Sequence, residues 1–218
     1  MIVIKSKASF IQLPNSLIRD PKITAIDFVL LFKLKHLMFL HNSSSFEVAN
    51  NKLKAVIGLS DNKTIKKSYK NLYDQGYLLE PAELLRGKPV KFTINEEKIS
   101  SKVEYTQLPI YIIEHLDTIK YVGFRLLYYY SSYINPNAAS KQYAYPSIET
   151  IKQHLGVHKD TVQDYNEILK KAKLISIQKH ELKHDYTYDV NDRLERVRYN
   201  NHYILHIEKL MVPNHNMY

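Results

Sequence analysis

Apolar residues recur every three or four positions in three successive segments of the first half of the chain, which is the spacing of an α-helix with one buried face. The pattern predicts helices over 24–40, 49–57 and 62–75. Gly58 interrupts the pattern between the last two segments and predicts a turn. Strand-like runs follow at 77–80 and 90–95, and the basic turn at 86–89 between them contains glycine and proline, which predicts a hairpin.

The second half of the chain repeats this pattern at an offset that stays between 95 and 98 residues. The matching segments are 10–14 with 105–109, 28–34 with 124–130, 53–59 with 151–157, 64–65 with 161–162, and 72–78 with 169–175. The second copy therefore has predicted helices at 119–134, from 147 onwards and at 159–173, and predicted strands at 174–179 and 199–207. Matches in the same order along the whole length indicate two copies of one fold.

The repeat gives the chain its predicted organisation. We expect an α+β protein, mainly α, with a first domain over residues 1–103 and a second over 104–218, each of ordinary domain size. Within the domains, Ser60 or Asp61 can cap the helix that follows, and Ser147 can cap the short helix of the second copy. Gly76 suits the left-handed residue that ends a helix.

Four tyrosines, Tyr128, Tyr129, Tyr130 and Tyr133, lie in the long helix of the second copy. Exposed aromatic rings can stack on the bases of single-stranded nucleic acid. Because this helix matches the apolar run 28–34 of the first copy, we predict that the rings pack in the core or between the domains.

The segment 146–162 reads Pro-Ser-Ile-Glu-Thr-Ile-Lys-Gln-His-Leu-Gly-Val-His-Lys-Asp-Thr-Val, and the first copy has its counterpart. A short helix, a glycine turn and a third helix followed by a hairpin resemble the winged helix-turn-helix family, over about 30 residues in each copy. The resemblance implies two tandem winged helix-turn-helix domains. It also implies that the third helix of each copy enters the major groove of double-stranded DNA, while the hairpin lies over neighbouring phosphates.

The third helix of the first copy has a basic outer face, with Ile65, Tyr69 and Leu72 turned inward. Its candidate DNA-binding residues, with those of the hairpin turn, are Asn62, Lys63, Lys66, Lys67, Lys70, Arg86 and Lys88. Lysine binds phosphate as a point charge, whereas an amide can pair bidentately with adenine, so Asn62 is the candidate base reader. A solvated basic face is the alternative interpretation.

The third helix of the second copy is nearly neutral. The candidates of this copy are Lys159, Gln163 and Lys170 on the helix and Arg193, Arg196 and Arg198 in the connector 185–198. Gln163 can read adenine, but Asp160 and Asp164 would repel the phosphates unless they accept from cytosine. Arginines of the connector can enter a minor groove. The alternatives are a solvated connector and a helix that docks a protein.

The formal net charge of +9 favours a polyanionic partner, either nucleic acid or an anionic membrane surface. Residues 1–104 contain 17 Lys and Arg against 10 Asp and Glu, whereas residues 105–218 contain 14 against 12. The positive charge therefore belongs mainly to the first copy.

Several chemistries find no support in the sequence. There is no cysteine, which excludes disulfides, thiol catalysis and cysteine zinc sites and fits a reducing cytoplasm. His180 and His184, like His202 and His206, are four apart on a predicted strand or connector, where they lie roughly 13 Å from each other. No phosphate-binding glycine loop or nucleophile elbow occurs. We therefore expect no metal, no cofactor and no enzymatic activity.

The apolar stretch 28–40 contains Lys33, Lys35 and His36, and the first ten residues lack the apolar core of a signal peptide. We therefore expect no membrane association, and a cytoplasmic, nucleoid-associated protein.

Two such modules in one chain resemble a dimer made from a single polypeptide, and the arrangement is similar to replication initiators of plasmids and phages of low-GC bacteria. The resemblance implies binding to an origin of replication, with the second domain as a contact for another copy or for a replication or transcription protein. A transcriptional regulator of a mobile element is one alternative. A winged-helix interaction scaffold is another, although such scaffolds tend to be acidic.

Overall fold

The computed structural model describes residues 9–100, 104–134, 142–181 and 199–211. Over these residues the chain is α+β and mainly helical, as predicted, with three two-stranded antiparallel sheets. The helices are α1 (Asn15–Ile18), α2 (Ala25–His41), α3 (Asn50–Val56), α4 (Asn62–Asp74), α5 (Glu96–Ile99), α6 (Leu116–Ser131), α7 (Ile148–Leu155) and α8 (Lys159–Lys171). The strands are β1 (Phe10–Pro14), β2 (Ser45–Val48), β3 (Val90–Thr93), β4 (Tyr105–Pro109), β5 (Ile175–Glu181) and β6 (Tyr199–Leu205). Short 3-10 helices span Ile110–His115 and Ile207–Leu210.

The helix boundaries follow the predicted capping residues. Asp61, rather than Ser60, caps α4. Its carboxylate accepts from the Thr64 backbone N–H at 2.7 Å, and hydrogen bonding to Thr64 lowers the pKa of Asp61. Ser147 caps α7 in the same way. Gly76 has a positive φ of 71° just after α4, as predicted, whereas Lys173 adopts the corresponding conformation after α8, with φ of 58°.

The strands of the first copy differ from the prediction. The predicted strand 77–80 contributes a single bridge, Leu78 to Ile94, and the partner of β3 is β2, which lies between α2 and α3. β2 is absent from the prediction because it has four residues, of which the first is the last serine of the run 43–45, too few for a visible alternation. Phe46 of β2 lies opposite Phe92 and anchors the sheet to the core.

The two copies share one sheet, because β1 of the first pairs with β4 of the second. The pairing is antiparallel and places Gln12 opposite Gln107, which are equivalent residues of the repeat, and Phe10 opposite Pro109. Antiparallel pairing of two equivalent segments about their common centre relates them by a pseudo-two-fold axis.

The long helices α2 and α6 pack against each other around the same axis. Phe28 lies edge-to-face with Tyr128 at 5.3 Å between ring centroids, and Phe32 lies edge-to-face with Phe124 at 5.0 Å. The repeat matches Phe28 with Phe124 and Phe32 with Tyr128, so the two ring pairs are equivalent to each other. Because α6 covers the side of α2 that the first copy leaves free, residues 28–32 of α2 are all buried, rather than one face only.

Tyr128, Tyr129 and Tyr130 of α6 are core residues, as predicted. Tyr128 donates to the Ile11 carbonyl at 2.8 Å, and Tyr130 donates to Asn166 Oδ1 at 2.6 Å. Burial raises the pKa of both phenols well above the ordinary value, so the rings are neutral donors. Tyr129 is also buried, and Tyr133 is half-buried.

Candidate nucleic-acid interface

The amphipathic character of α4 determines which of its side chains reach solvent. Ile65, Ser68, Tyr69 and Leu72 follow helical spacing and are buried. The predicted candidates Asn62, Lys63, Lys66, Lys67 and Lys70 are all exposed. Their position on the outer face therefore agrees with the sequence analysis.

A groove separates the start of α4 from the hairpin turn and has a volume of about 500 Å³. Four candidates line it: Asn62, Lys66, Arg86 and Lys88. The turn that carries the last two closes with a hydrogen bond from the Lys88 N–H to the Leu85 carbonyl at 3.3 Å, and Gly87 supplies its positive φ of 73°. The lining residues of this groove include three cations and no carboxylate, so the groove attracts anions.

Asn62 is held in place from α3. Its Oδ1 accepts from Lys54 Nζ at 2.8 Å and from Asn50 Nδ2 at 3.4 Å. Asn50 in turn accepts from the buried hydroxyl of Tyr69 at 2.9 Å, and burial raises the pKa of that hydroxyl. This network orients the amide of Asn62 in the lining of the groove.

Asn50 and Lys54 are not among the residues predicted from the sequence. A signal was available for Asn50, because it lies three residues before Leu53 and therefore on the buried side of the predicted helix. A polar side chain at such a place needs a hydrogen-bonding partner. The partners, however, come from α4 and are visible only in the structure.

The lysines of α4 lie on two flanks. Lys66 faces the hairpin groove, whereas Lys67 and Lys70 line a second groove beside the start of α2, together with Lys22. Lys70 also forms an exposed ion pair with Asp74 at 2.5 Å. A helix with cations on both flanks can contact the phosphates on both sides of a major groove.

The second copy has carboxylates at three positions of its third helix where the first copy has lysine. With α8 aligned on α4 from its first residue, Asn62 matches Lys159, Lys66 matches Gln163, Lys63 matches Asp160, Lys67 matches Asp164 and Lys70 matches Glu167. Three lysines are thus replaced by carboxylates. Glu167 pairs with Lys170 at 2.8 Å, which further reduces the free positive charge of α8.

A groove of about 360 Å³ also separates α8 from the hairpin of the second copy. Gln163 and Lys170 line it, together with Lys179 and Asn201. Lys159 is exposed but is not part of this lining. The remaining candidates, Arg193, Arg196 and Arg198, lie outside the described residues.

The histidines of the second hairpin form a ring stack. His180 and His202 stack at 4.8 Å between centroids, and Tyr143 stacks on His202 at 3.9 Å. Burial, followed by repulsion from His180, lowers the pKa of His202. No group of three possible metal ligands occurs among the residues that the structure describes, and His184 lies outside them.

No model of a known protein family matches the chain, and no curated protein has a significantly similar sequence. Within the described ranges, no helix has both the length and the apolarity needed to cross a membrane.

Proposed function

We propose that the chain is a sequence-specific double-stranded DNA-binding protein, made of two tandem winged helix-turn-helix modules, that binds an origin during replication initiation of a plasmid or phage. It performs no catalytic step in this role. The observation that carries the proposal is the convergence of Asn62, Lys66, Arg86 and Lys88 on one groove between α4 and the hairpin turn.

The order of elements supports the winged-helix assignment. In each copy a short helix, a turn with a left-handed glycine and a longer third helix follow one another. In the second copy the antiparallel pair β5 and β6 comes next, whereas in the first copy β3 follows α4 and pairs with β2, which precedes α3. The turn glycines are Gly58 and Gly156, with φ of 67° and 65°. In this arrangement the third helix has an exposed face, and a major groove about 12 Å wide admits an α-helix.

In this proposal the side chains of α4 have two different roles in binding DNA. Lysines on its two flanks bind phosphates and supply affinity that does not depend on sequence. Asn62 reads adenine: its Nδ2 donates to N7, and its Oδ1 accepts from N6. A carbonyl oxygen has two lone pairs, so Oδ1 can keep its bond to Lys54 and accept from the base if it releases the longer bond from Asn50.

The second copy has a different share in binding. Gln163 can read adenine from α8, but the carboxylates of Asp160, Asp164 and Glu167 oppose phosphate contacts. We therefore assign most of the affinity to the first copy. The same interface would serve a transcriptional regulator, so the position of the binding site in the genome distinguishes the two roles.

The test is selection of bound duplexes from a random pool, followed by footprinting on the source replicon. We expect an enriched motif containing adenine, repeated at an origin, and affinity that falls steeply with salt because counterions are released. A single binding site that overlaps a promoter would instead indicate a transcriptional regulator. Equal binding to all duplexes, or none, would contradict sequence-specific recognition.

A further inference from the structure

Arg125 is a buried cation on α6, where the two copies meet. Its side chain is 2% exposed. Its Nε and Nη2 donate to the Ile18 carbonyl at 3.2 and 3.0 Å, and Nη2 also donates to the Asp20 carbonyl at 2.7 Å. Nη1 donates to the carbonyls of Ile23 and Leu155, the latter at 3.4 Å. Four backbone carbonyls, three from the first copy and one from the end of α7, therefore surround one guanidinium.

Helix packing alone does not require a cation at this place. The equivalent residue of the first copy is Val29, which is also fully buried. Burying a guanidinium is costly unless its donors are satisfied. Burial lowers the pKa of Arg125 to about 10, with Asp20 as the largest opposing influence, so the side chain stays charged at neutral pH. Unlike valine, Arg125 forms directional hydrogen bonds between the two copies.

Both helix-turn-helix turns are also tied to the opposite copy. Tyr121 of α6 donates to the carbonyls of Ile57 and Gly58 at 2.9 and 3.1 Å, in the turn that leads to α4. Gly156, in the turn that leads to α8, lies so close to the first copy that an added Cβ would be 2.9 Å from the Pro21 carbonyl oxygen. Arg125 donates to Asp20 and Ile23, on either side of Pro21, and to Leu155, which precedes Gly156.

We propose that Arg125 is a positioning residue that fixes the separation and orientation of α4 relative to α8. Its bonds join the segment 18–23 of the first copy to the end of α7, and each turn passes directly into the third helix of its copy. The consequence for DNA rests on the proposed function: the two third helices contact segments at one set separation. Affinity then depends on the spacing of the two segments as well as on their sequences.

The effect of Arg125 on the separation of α4 and α8 can be tested without DNA. Because the chain has no cysteine, the exposed residues Tyr73 on α4 and Lys171 on α8 can be replaced by cysteine and spin-labelled as a single pair. We expect one narrow distance distribution in the parent. Arg125→Met should broaden it at least about twofold, and Arg125→Lys should broaden it less, because lysine keeps the charge but lacks the planar fork.

An unchanged distribution in Arg125→Met would overturn the proposal. If that variant does not fold, Arg125→Lys decides, since it leaves a side chain of similar size. A distribution in Arg125→Lys that matches the parent would then overturn the proposal. Thr118→Ala, an exposed change near the start of α6, controls for nonspecific effects of substitution in this helix.

The DNA part uses the selected site with one to five base pairs inserted between its two segments. We expect the parent to lose at least about tenfold in affinity at half a helical turn, which turns the second segment to the opposite face of the duplex. Arg125→Lys should lose less affinity at that insertion. It should bind a duplex that contains only the first segment with the same affinity as the parent. Equal affinity of the parent at all spacings would overturn the DNA part. Failure to bind any duplex would overturn the proposed function, while the label distances would still test the positioning role.

Discussion

At the scale of single residues, the lysines of α4 are expected to act through charge alone. Replacing Lys66 and Lys67 together by alanine should weaken binding to every duplex by a similar factor, because a point charge contacts phosphate and not bases. The slope of log K against log salt should become shallower by about two units, roughly 0.9 for each lost contact. Fluorescence anisotropy over a salt series measures both quantities.

The matched control for the lysine pair is Lys120→Ala with Lys209→Ala, two exposed lysines of the second copy that lie outside α8. This control removes the same net charge, so it corrects for the long-range field of the protein. An equal loss of slope in both double variants would show that α4 does not make the phosphate contacts.

Asn62 is expected to behave differently from the lysines. Asn62→Ala should relax the preference at one base pair, with a loss of about 1–3 kcal/mol of discrimination, and leave the salt slope unchanged. Asn51→Ala is the control, since Asn51 lines the same groove from α3. Competition with duplexes substituted at single positions measures the effect. A uniform loss of affinity across all competitors would remove Asn62 from the base-reading role.

At the scale of elements, the two turn glycines should differ in their tolerance of a side chain. Alanine costs about 1–2 kcal/mol at either position because both have a left-handed φ. Around Gly58 the nearest atom to an added Cβ is the Tyr121 hydroxyl at 3.7 Å, which is ordinary contact, whereas at Gly156 it is the Pro21 backbone oxygen at 2.9 Å. Gly156→Ala should therefore lower the free energy of unfolding more than Gly58→Ala, as measured by urea denaturation. Equal losses would mean that the close contact with Pro21 does not constrain the turn.

The elements themselves were largely predictable, and the reason is local. The helical period and the caps at Asp61 and Ser147 are determined by residues a few positions apart, so α4 and α7 begin where the sequence predicts. The pairing of β1 with β4 was not predictable, because a repeat shows that two segments are alike and not how they face each other. Arg125 was unremarkable in the sequence for the same reason: its partners lie about 30 to 107 positions away.

The exposed side chains of the candidate interface were predictable from helical spacing, since Ile65 and Leu72 indicate which face of α4 is buried. The network behind Asn62 was not, because it depends on the distance between α3 and α4. The charge contrast between the helices was also predictable, because the repeat matches 64–65 with 161–162 and thereby sets Lys63, Lys67 and Lys70 against Asp160, Asp164 and Glu167.

At the scale of the whole molecule, this contrast makes the role of the second copy testable. Replacing Asp160, Asp164 and Glu167 together by lysine places lysine on α8 at the positions of Lys63, Lys67 and Lys70 on α4. If α8 lies in the major groove, three new phosphate contacts should steepen the salt slope by about 2.7 units and raise affinity for all duplexes. Glu96, Glu97 and Glu208, exposed carboxylates outside both third helices, provide a control variant with the same change of net charge.

The comparison of these two variants separates local contact from the overall field, because long-range attraction depends on net charge and is screened within about 10 Å at 0.1 M salt. A steeper slope in the α8 variant alone places the second copy on DNA, with its natural carboxylates limiting affinity so that recognition depends on Gln163 and on the first copy. Equal slopes in both variants would show that α8 does not contact phosphate. In that case its outer face is left for a protein partner, and the pseudo-two-fold axis relates a DNA-binding module to a docking module.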